Sequence, residues 1–83
     1  MKEIDDKRTL ASIAPGETCR IESVDATGHI RRRLFDLGFA PGAIVGCIGK
    51  SPLGDPRAYA VRGTTVAVRG ADAVMIRVSG IKS

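Results

Sequence analysis

The sequence predicts a mostly β protein: a small, strongly bent barrel of about five short strands, with one short helix between the first two strands. Runs of alternating apolar and polar residues recur between glycines and prolines, which is the pattern of half-buried strands joined by tight turns. Aromatic residues make up only 4% of the chain and Trp is absent, so the core must come from Ile, Val, Leu and Ala. Closure into a barrel removes the exposed edges of so short a sheet.

The strands are predicted from this period-two alternation. They fall at residues 17–24, 43–50, 57–62, 64–69 and 75–78. Cys19 and Cys47 lie on the apolar phase of the first two runs, so both are expected to face one core as inert thiols. Neither belongs to a CxxC motif, and the chain has a single histidine, His29. The sequence therefore does not indicate a dedicated metal site, leaves open whether the chain binds iron itself, and predicts no cofactor and no catalytic residues.

The helix is predicted at residues 29–37. Ile30, Leu34 and Leu37 stand at i, i+4 and i+7, which places them on one face. Gly38 follows at the position where a left-handed residue ends a helix. Glycine and proline also mark the tight turns that we expect to be structural, and with the helix stop these residues are Gly38, Pro41, Gly42 and Gly63.

The chain length of 83 residues predicts one domain. We expect a flexible N-terminal segment at residues 1–8, the barrel at residues 9–79 and a C-terminal tail at residues 80–83. The first residues lack the apolar segment of a signal peptide, and the longest apolar run is far below the ~20 residues of a membrane span. We therefore expect a cytoplasmic protein that does not itself span the membrane.

The net charge of +4 comes from 13 basic and 9 acidic residues that are mixed along the chain. A nucleic-acid-binding protein usually concentrates its basic residues on one face, and single strands also need aromatic rings for stacking. The charge pattern therefore predicts a solvated surface and no nucleic-acid partner.

Four motifs occur in order along the chain. They are RLxxLGFxPG at residues 33–42, PLGDP at residues 52–56, VRG at residues 61–63 and VAVR at residues 66–69. Together these motifs resemble the FeoA family. The resemblance implies an SH3-like β-barrel and a cytosolic role in bacterial ferrous iron uptake, beside the membrane transporter FeoB, which carries a cytosolic GTPase domain.

Most motif residues are explained by turns and core packing, but some are not. A proline-stiffened loop loses little entropy on binding, and arginine suits planar contacts with carboxylates or phosphates. We therefore expect a partner-binding surface formed by Arg31, Arg32, Phe35, Leu37, Leu53, Gly54, Asp55 and Pro56. On this interpretation the chain is a non-enzymatic adaptor that docks on the cytosolic face of the FeoB-type transporter, is recruited to the inner face of the membrane, and regulates or assembles its partner. A sharper version makes one arginine an activator of GTP hydrolysis.

Two questions stay open at this stage. The alternative function is a nucleic-acid-binding or transcription-regulatory SH3-like module, related to the C-terminal domain of DtxR-type repressors, although the sequence has no helix-turn-helix. The sequence also leaves open a weak homo-oligomer formed through an uncovered strand edge or a surface metal. A hydrolase or oxidoreductase is not indicated, since the chain has neither a triad arrangement nor a phosphate-binding glycine loop.

Overall fold

The computed structural model describes residues 8–83. Its strands and helices are β1 (Thr18–Val24), α1 (Gly28–Asp36), β2 (Ile44–Lys50), β3 (Arg57–Val61), β4 (Thr64–Val68), α2 (Gly70–Ala73) and β5 (Ile76–Lys82), and a 3-10 turn at Leu10–Ser12 precedes them. The prediction of five strands with a short helix between the first two is confirmed. The N-terminal segment expected at residues 1–8 lies outside the described residues, apart from Arg8.

All five strands belong to one antiparallel sheet, in the order β4-β3-β2-β1-β5. Within residues 8–83 the two outer strands, β4 and β5, do not pair with each other, so the barrel is not closed by a ladder. The outer edge of β5 is instead bordered by the start of the described chain. Thr9 forms a bridge with Arg77, and the N–H of Val78 donates to the carbonyl of Arg8 at 3.1 Å.

The last strand continues beyond residue 78, where the sequence pattern predicted its end. Two register shifts in the β1–β5 ladder carry the pairing on to Thr18 and Lys82. Each shift interrupts the strict period-two alternation, and Gly80 adopts a positive φ of 63°. The alternation in the sequence therefore stops before the strand does.

The core consists of apolar side chains from every strand, and no polar or charged residue in the described part of the chain is buried. The rings of Phe39 and Tyr59 meet edge to face, with centroids 6.4 Å apart. The hydroxyl of Tyr59 donates to the carbonyl of Leu10 at 3.3 Å, which fixes the 3-10 turn against β3. Cys19 and Cys47 both lie in this core as free thiols.

α1 ends in the way its sequence predicts. Gly38 has a φ of 108°, and its N–H donates to the carbonyl of Phe35 at 2.9 Å. The N–H of Phe39 donates to the carbonyl of Leu34, also at 2.9 Å. This pair of bonds satisfies carbonyls at the helix end and turns the chain so that Phe39 enters the core.

A two-residue turn joins β3 to β4. Both of its residues have positive φ, 53° at Arg62 and 78° at Gly63. Two consecutive left-handed residues form a type I′ turn, whose twist matches that of the flanking strands. The ladder of the hairpin therefore begins at Val61 and Thr64, which form a hydrogen-bonded pair that exchanges both backbone N–H···O bonds.

Candidate partner-binding surface

The loop at residues 51–56 is closed by hydrogen bonds between its own residues. The N–H of Ser51 donates to the carbonyl of Pro56 at 3.1 Å, and the N–H of Gly54 donates to the carbonyl of Ser51 at 2.8 Å. The hydroxyl of Ser51 donates to the carbonyl of Asp55 at 2.7 Å. These bonds hold Leu53 at the tip of the loop, where its side chain is 94% exposed. A large apolar side chain is thus presented to solvent on a loop of fixed shape.

The side chain of Asp55 points toward α2. Its Oδ1 accepts the N–H of Gly70, the first residue of α2, at 2.6 Å. A Cβ at position 70 would lie 3.2 Å from the same oxygen, so glycine permits this close approach. Asp55 therefore ties the loop to the start of α2, which gives this side chain a structural role.

A groove of about 460 Å³ separates α1 from β4 and α2. It is lined by His29, Ile30, Arg33, Leu34, Leu37, Pro56, Ala67, Val68, Arg69 and Asp72. The apolar face of α1 forms one wall, and the end of β4 forms the other. Pro56 joins the 51–56 loop to the same groove.

The basic residues of the groove outnumber the acidic ones. Arg33 and His29 lie on α1 and are exposed, and Arg69 lies at the end of β4 with 69% of its side chain exposed. Asp72 is the one carboxylate among the lining residues, and it forms an ion pair with Arg69 at 3.7 Å. Two arginines and a histidine thus share the groove with a single acidic group.

The groove contains only part of the surface expected from the sequence. Leu37 and Pro56 both line it, whereas Arg31, Arg32 and Phe35 lie on other sides of α1. The guanidinium of Arg31 stacks over the ring of Phe35, 4.6 Å from its centroid. The expected surface is therefore divided between the groove, the Arg31–Phe35 side of the helix and the exposed Leu53.

Sequence reasoning missed Arg33 and Arg69 as groove residues. Arg33 stands three residues after Ile30 and four before Leu37, so the helical period places it on the groove side. That signal was present in the sequence. Arg69 and Asp72 gave no such signal, because their position depends on how α2 follows β4.

Cys19 also lines a smaller recess of about 280 Å³, with residues of β1, β2 and β5. Burial raises the pKa of the Cys19 thiol to about 11, and the nearby Cys47 and Glu17 contribute to the rise. Burial raises the pKa of Cys47 as well. Both thiols are protonated at neutral pH and are poor nucleophiles.

Residues 8–83 contain no group of three His, Cys, Asp or Glu side chains that could hold a metal ion. Within the same residues, none of the helices has the length and apolar character needed to cross a membrane.

Comparison with known proteins identifies the family. The family model described as the FeoA domain matches residues 8–80. The chain belongs to the FeoA family. This family is associated with ferrous iron transport, and the resemblance inferred from the four sequence motifs is confirmed.

Two relatives extend this result. The "Fe(2+) transport protein A/Fe(2+) transporter FeoB fusion protein" of Porphyromonas gingivalis (strain ATCC BAA-308 / W83) is 31% identical over 74 residues. The match covers 89% of this chain and 9% of the fusion protein, so the chain spans a small part of that relative. FeoA of Stenotrophomonas maltophilia, solved in complex with zinc and described as a prokaryotic SH3 domain protein, has a TM-score of 0.80 and 31% identity, over 90% of this chain and 95% of that chain. The SH3-like fold is thereby confirmed.

The fold also occurs in a regulator of transcription. A manganese-dependent transcriptional repressor in complex with manganese has a TM-score of 0.78 and 20% identity, over 87% of this chain and 35% of that chain. At this identity the likeness shows the fold alone.

Proposed function

We propose that this chain is a non-enzymatic accessory protein of bacterial ferrous iron uptake that docks on a FeoB-type transporter and regulates or assembles it. The fusion protein of P. gingivalis carries the proposal, because its name joins the FeoA and FeoB functions in one chain. Fusion keeps two proteins at a fixed ratio and at a high effective concentration. A FeoA protein that is separate from its transporter needs a docking surface instead, and its place is the cytoplasm, from which it is recruited to the inner face of the membrane.

The docking surface that we propose combines α1 with the 51–56 loop. Leu53 supplies an apolar anchor that is 94% exposed, and burial of such a side chain in a partner's pocket contributes about 1.5–3 kcal/mol. Arg31 and Arg32 supply exposed guanidinium groups for carboxylates or phosphates on the partner. The remaining members of the surface are Phe35, Leu37, Gly54, Asp55 and Pro56.

Docking acts on the transporter by favouring one of its conformations. Of the two arginines, Arg31 is engaged with the ring of Phe35, so Arg32 is the better candidate to reach a nucleotide bound to the GTPase domain. A guanidinium placed on the transferring phosphate stabilises the charge that develops in the transition state. In that case docking raises the rate of GTP hydrolysis as well as assembling the complex.

The test measures binding of the purified chain to the full-length transporter of the same organism in nanodiscs, with GTP hydrolysis followed in the same samples. We expect saturable binding that the double variant Arg31→Ala, Arg32→Ala weakens. Arg20→Ala is the matched control, because Arg20 is an exposed arginine of β1 outside the proposed surface. A rate increase that Arg32→Ala abolishes supports GTPase activation, whereas binding with an unchanged rate supports assembly alone.

Absence of binding in every nucleotide state would overturn the proposal. A salt-sensitive shift with duplex DNA or single-stranded RNA at physiological ionic strength would then favour the nucleic-acid-binding alternative.

A further inference from the structure

β4 is an open edge of the sheet. Its ladder with β3 begins at the bonded pair Val61 and Thr64 and alternates from there, through Ala60 with Thr65 and Tyr59 with Val66. Thr64, Val66 and Val68 therefore direct their backbone groups toward β3. Thr65 and Ala67 direct theirs away from it, to a side on which the described part of the chain places no strand. Each of these two residues offers one N–H and one C=O in the spacing that an added strand requires.

The open edge leads into the groove. Ala67 and Val68 line it on the strand side, and Ile30, Leu34 and Leu37 line it from α1. Its volume of about 460 Å³ is within the range of roughly 300–1,000 Å³ found for small-ligand sites. A strand edge on one side and an apolar helix face on the other form a cleft that suits an extended chain, whose backbone pairs with the strand while alternate side chains contact the helix.

The charges of the groove indicate which sign of charge its occupant carries. Arg33 and Arg69 lie on opposite walls, and Asp72 is already paired with Arg69. The groove contains two guanidinium groups and one carboxylate, so an occupant with carboxylate side chains meets a net positive charge, whereas a basic one is repelled. Electrostatics thus favours an acidic segment.

Charge also opposes a second copy of this chain, through Arg69 and through Arg62, which lies outside the groove. Antiparallel pairing of two β4 strands through Thr65 and Ala67 brings Arg62 of one copy within about one residue of Arg69 of the other, at both ends of the ladder. Like charges directly opposite each other in a ladder are destabilising, and a diagonal pair is repelled more weakly. Pairing of β4 with β4 of a second copy is therefore less favourable than pairing with an acidic segment.

A proline-rich ligand is disfavoured as well. Grooves that bind polyproline helices are lined by aromatic rings. Phe39 and Tyr59 are fully buried, and Phe35 is stacked under Arg31 and does not line the groove. The groove offers an apolar helix face and strand hydrogen bonds in place of rings.

We propose that the groove between α1 and the open edge of β4 binds an acidic, extended peptide segment of a partner protein, which adds to the sheet as a strand beside β4. The backbone groups of Thr65 and Ala67 supply the hydrogen bonds, and Arg33 and Arg69 select the charge. The inference does not depend on the transporter, because it specifies the backbone and charge of the partner segment.

The probe for the first test is a random octapeptide library displayed on phage, with the full chain immobilised. We expect enrichment of peptides with an excess of Asp and Glu. Addition of an enriched peptide should slow hydrogen exchange of the Thr65 and Ala67 amides by about tenfold or more, because these N–H groups become bonded. Failure to enrich acidic peptides would overturn the proposal, as would binding that leaves both amides unprotected.

The second test uses one backbone change. Ala67→Pro removes the outward N–H without touching the ladder to β3, since proline is tolerated on the outer side of an edge strand. We expect an affinity loss of about tenfold, whereas Ala67→Ser, which keeps the N–H, should remain within about threefold of the unaltered chain. Equal affinities for the two variants would contradict strand addition.

A charge test covers the case in which Ala67→Pro fails to fold. Arg33→Glu and Arg69→Glu should each weaken binding of the acidic peptide, while Arg20→Glu, which makes the same charge change on β1, should have much less effect at physiological salt. Equal effects of the three variants would show that binding depends on the net charge of the chain alone, and would overturn the proposal.

A dimer would also overturn the proposal. Its signs would be slow hydrogen exchange of the Thr65 and Ala67 amides without peptide and a concentration-dependent dimer in sedimentation, and these results would assign the β4 edge to a second copy of the chain. Binding of these peptides without binding of the transporter would support this inference and separate it from the proposed function.

Discussion

Gly38 at the end of α1 lies directly against the side chain of Arg62 in the β3–β4 turn. A Cβ built on Gly38 would be 2.8 Å from Cδ of Arg62 and 3.2 Å from Cγ2 of Val61. The φ of Gly38 is 108°, which residues other than glycine rarely adopt. The helix end and the hairpin therefore approach each other as closely as a residue without a side chain permits.

Gly38→Ala should lower the free energy of unfolding by about 2–3 kcal/mol, because it adds backbone strain to a steric clash with Val61 and Arg62. The measurement is chemical denaturation followed by circular dichroism. Gly49→Ala is the matched control. Gly49 lies in β2 without a positive φ, and apart from Gly49 and its two chain neighbours no residue has an atom within 4 Å of the position that an added methyl group would take, so we expect a change near zero or slightly stabilising. Equal losses in the two variants would contradict the explanation.

Asp55→Ala should destabilise the chain by about 1–2 kcal/mol, because the N–H of Gly70 then loses its acceptor at the start of α2. Asp36→Ala is the control, since Asp36 is an exposed carboxylate at the end of α1. Denaturation midpoints check both variants. Asp55→Asn keeps a side-chain oxygen and should recover part of the loss. If Asp55→Ala lowers the free energy of unfolding no more than Asp36→Ala does, the hydrogen bond from Gly70 to Asp55 makes no net contribution to stability.

Leu53→Ser should leave the free energy of unfolding within about 0.5 kcal/mol of the original value, because the side chain is 94% exposed. Its affinity for the transporter should fall by about tenfold or more if Leu53 is an anchor of the interface. Val74→Ser is the control, since Val74 is a 54% exposed apolar residue beyond α2 and outside the proposed surface. Titration of each variant against the transporter in nanodiscs makes the comparison. Equal affinities would remove Leu53 from the interface.

The stability of the chain should decline as the pH rises from about 9 toward 11. Burial raises the pKa of Cys19 from 9.0 to about 11, so the folded chain keeps this proton over a range in which the unfolded chain releases it. Unfolding therefore becomes easier with rising pH, by about 2–3 kcal/mol over the interval. Below about pH 8 both states hold the proton and Cys19 contributes almost no pH dependence.

Urea denaturation at several pH values checks this prediction. In Cys19→Ala the decline between pH 9 and 11 should be smaller. Burial also raises the pKa of Tyr59, so part of the decline should remain in that variant. An identical pH profile in the two chains would contradict the assignment to Cys19.

The sequence pattern was sufficient for most of the fold, because local rules and tertiary packing agree there. The spacing of Ile30 and Leu34 and the glycine after Leu37 define α1 and its end, and the alternation around Tyr59 and Val61 defines β3. The extension of β5 to Lys82 was beyond such reasoning, since bulges in the β1–β5 ladder depend on the partner strand.

The groove was harder to predict than the fold. Its existence depends on the position of α1 relative to an unpaired strand edge, and no local pattern in the sequence encodes that distance. The role of Asp55 was missed for the same reason, because its acceptor contact with Gly70 joins residues 15 positions apart. Arg33 is different, since the helical period already placed it beside Leu37.

The two edge strands of the sheet differ, because within residues 8–83 the outer edge of β5 is bordered by chain and that of β4 is not. This difference limits how copies of the chain can assemble. Growth of a filament needs two complementary edges, so that each added copy exposes a fresh one. Here Arg8 and Thr9 border β5 along Arg77 and Val78, and β4 remains open. Association of identical chains through β4 is symmetric and ends at two copies. A small β protein with this asymmetry can keep one edge available to a partner and still resist fibre formation at high concentration.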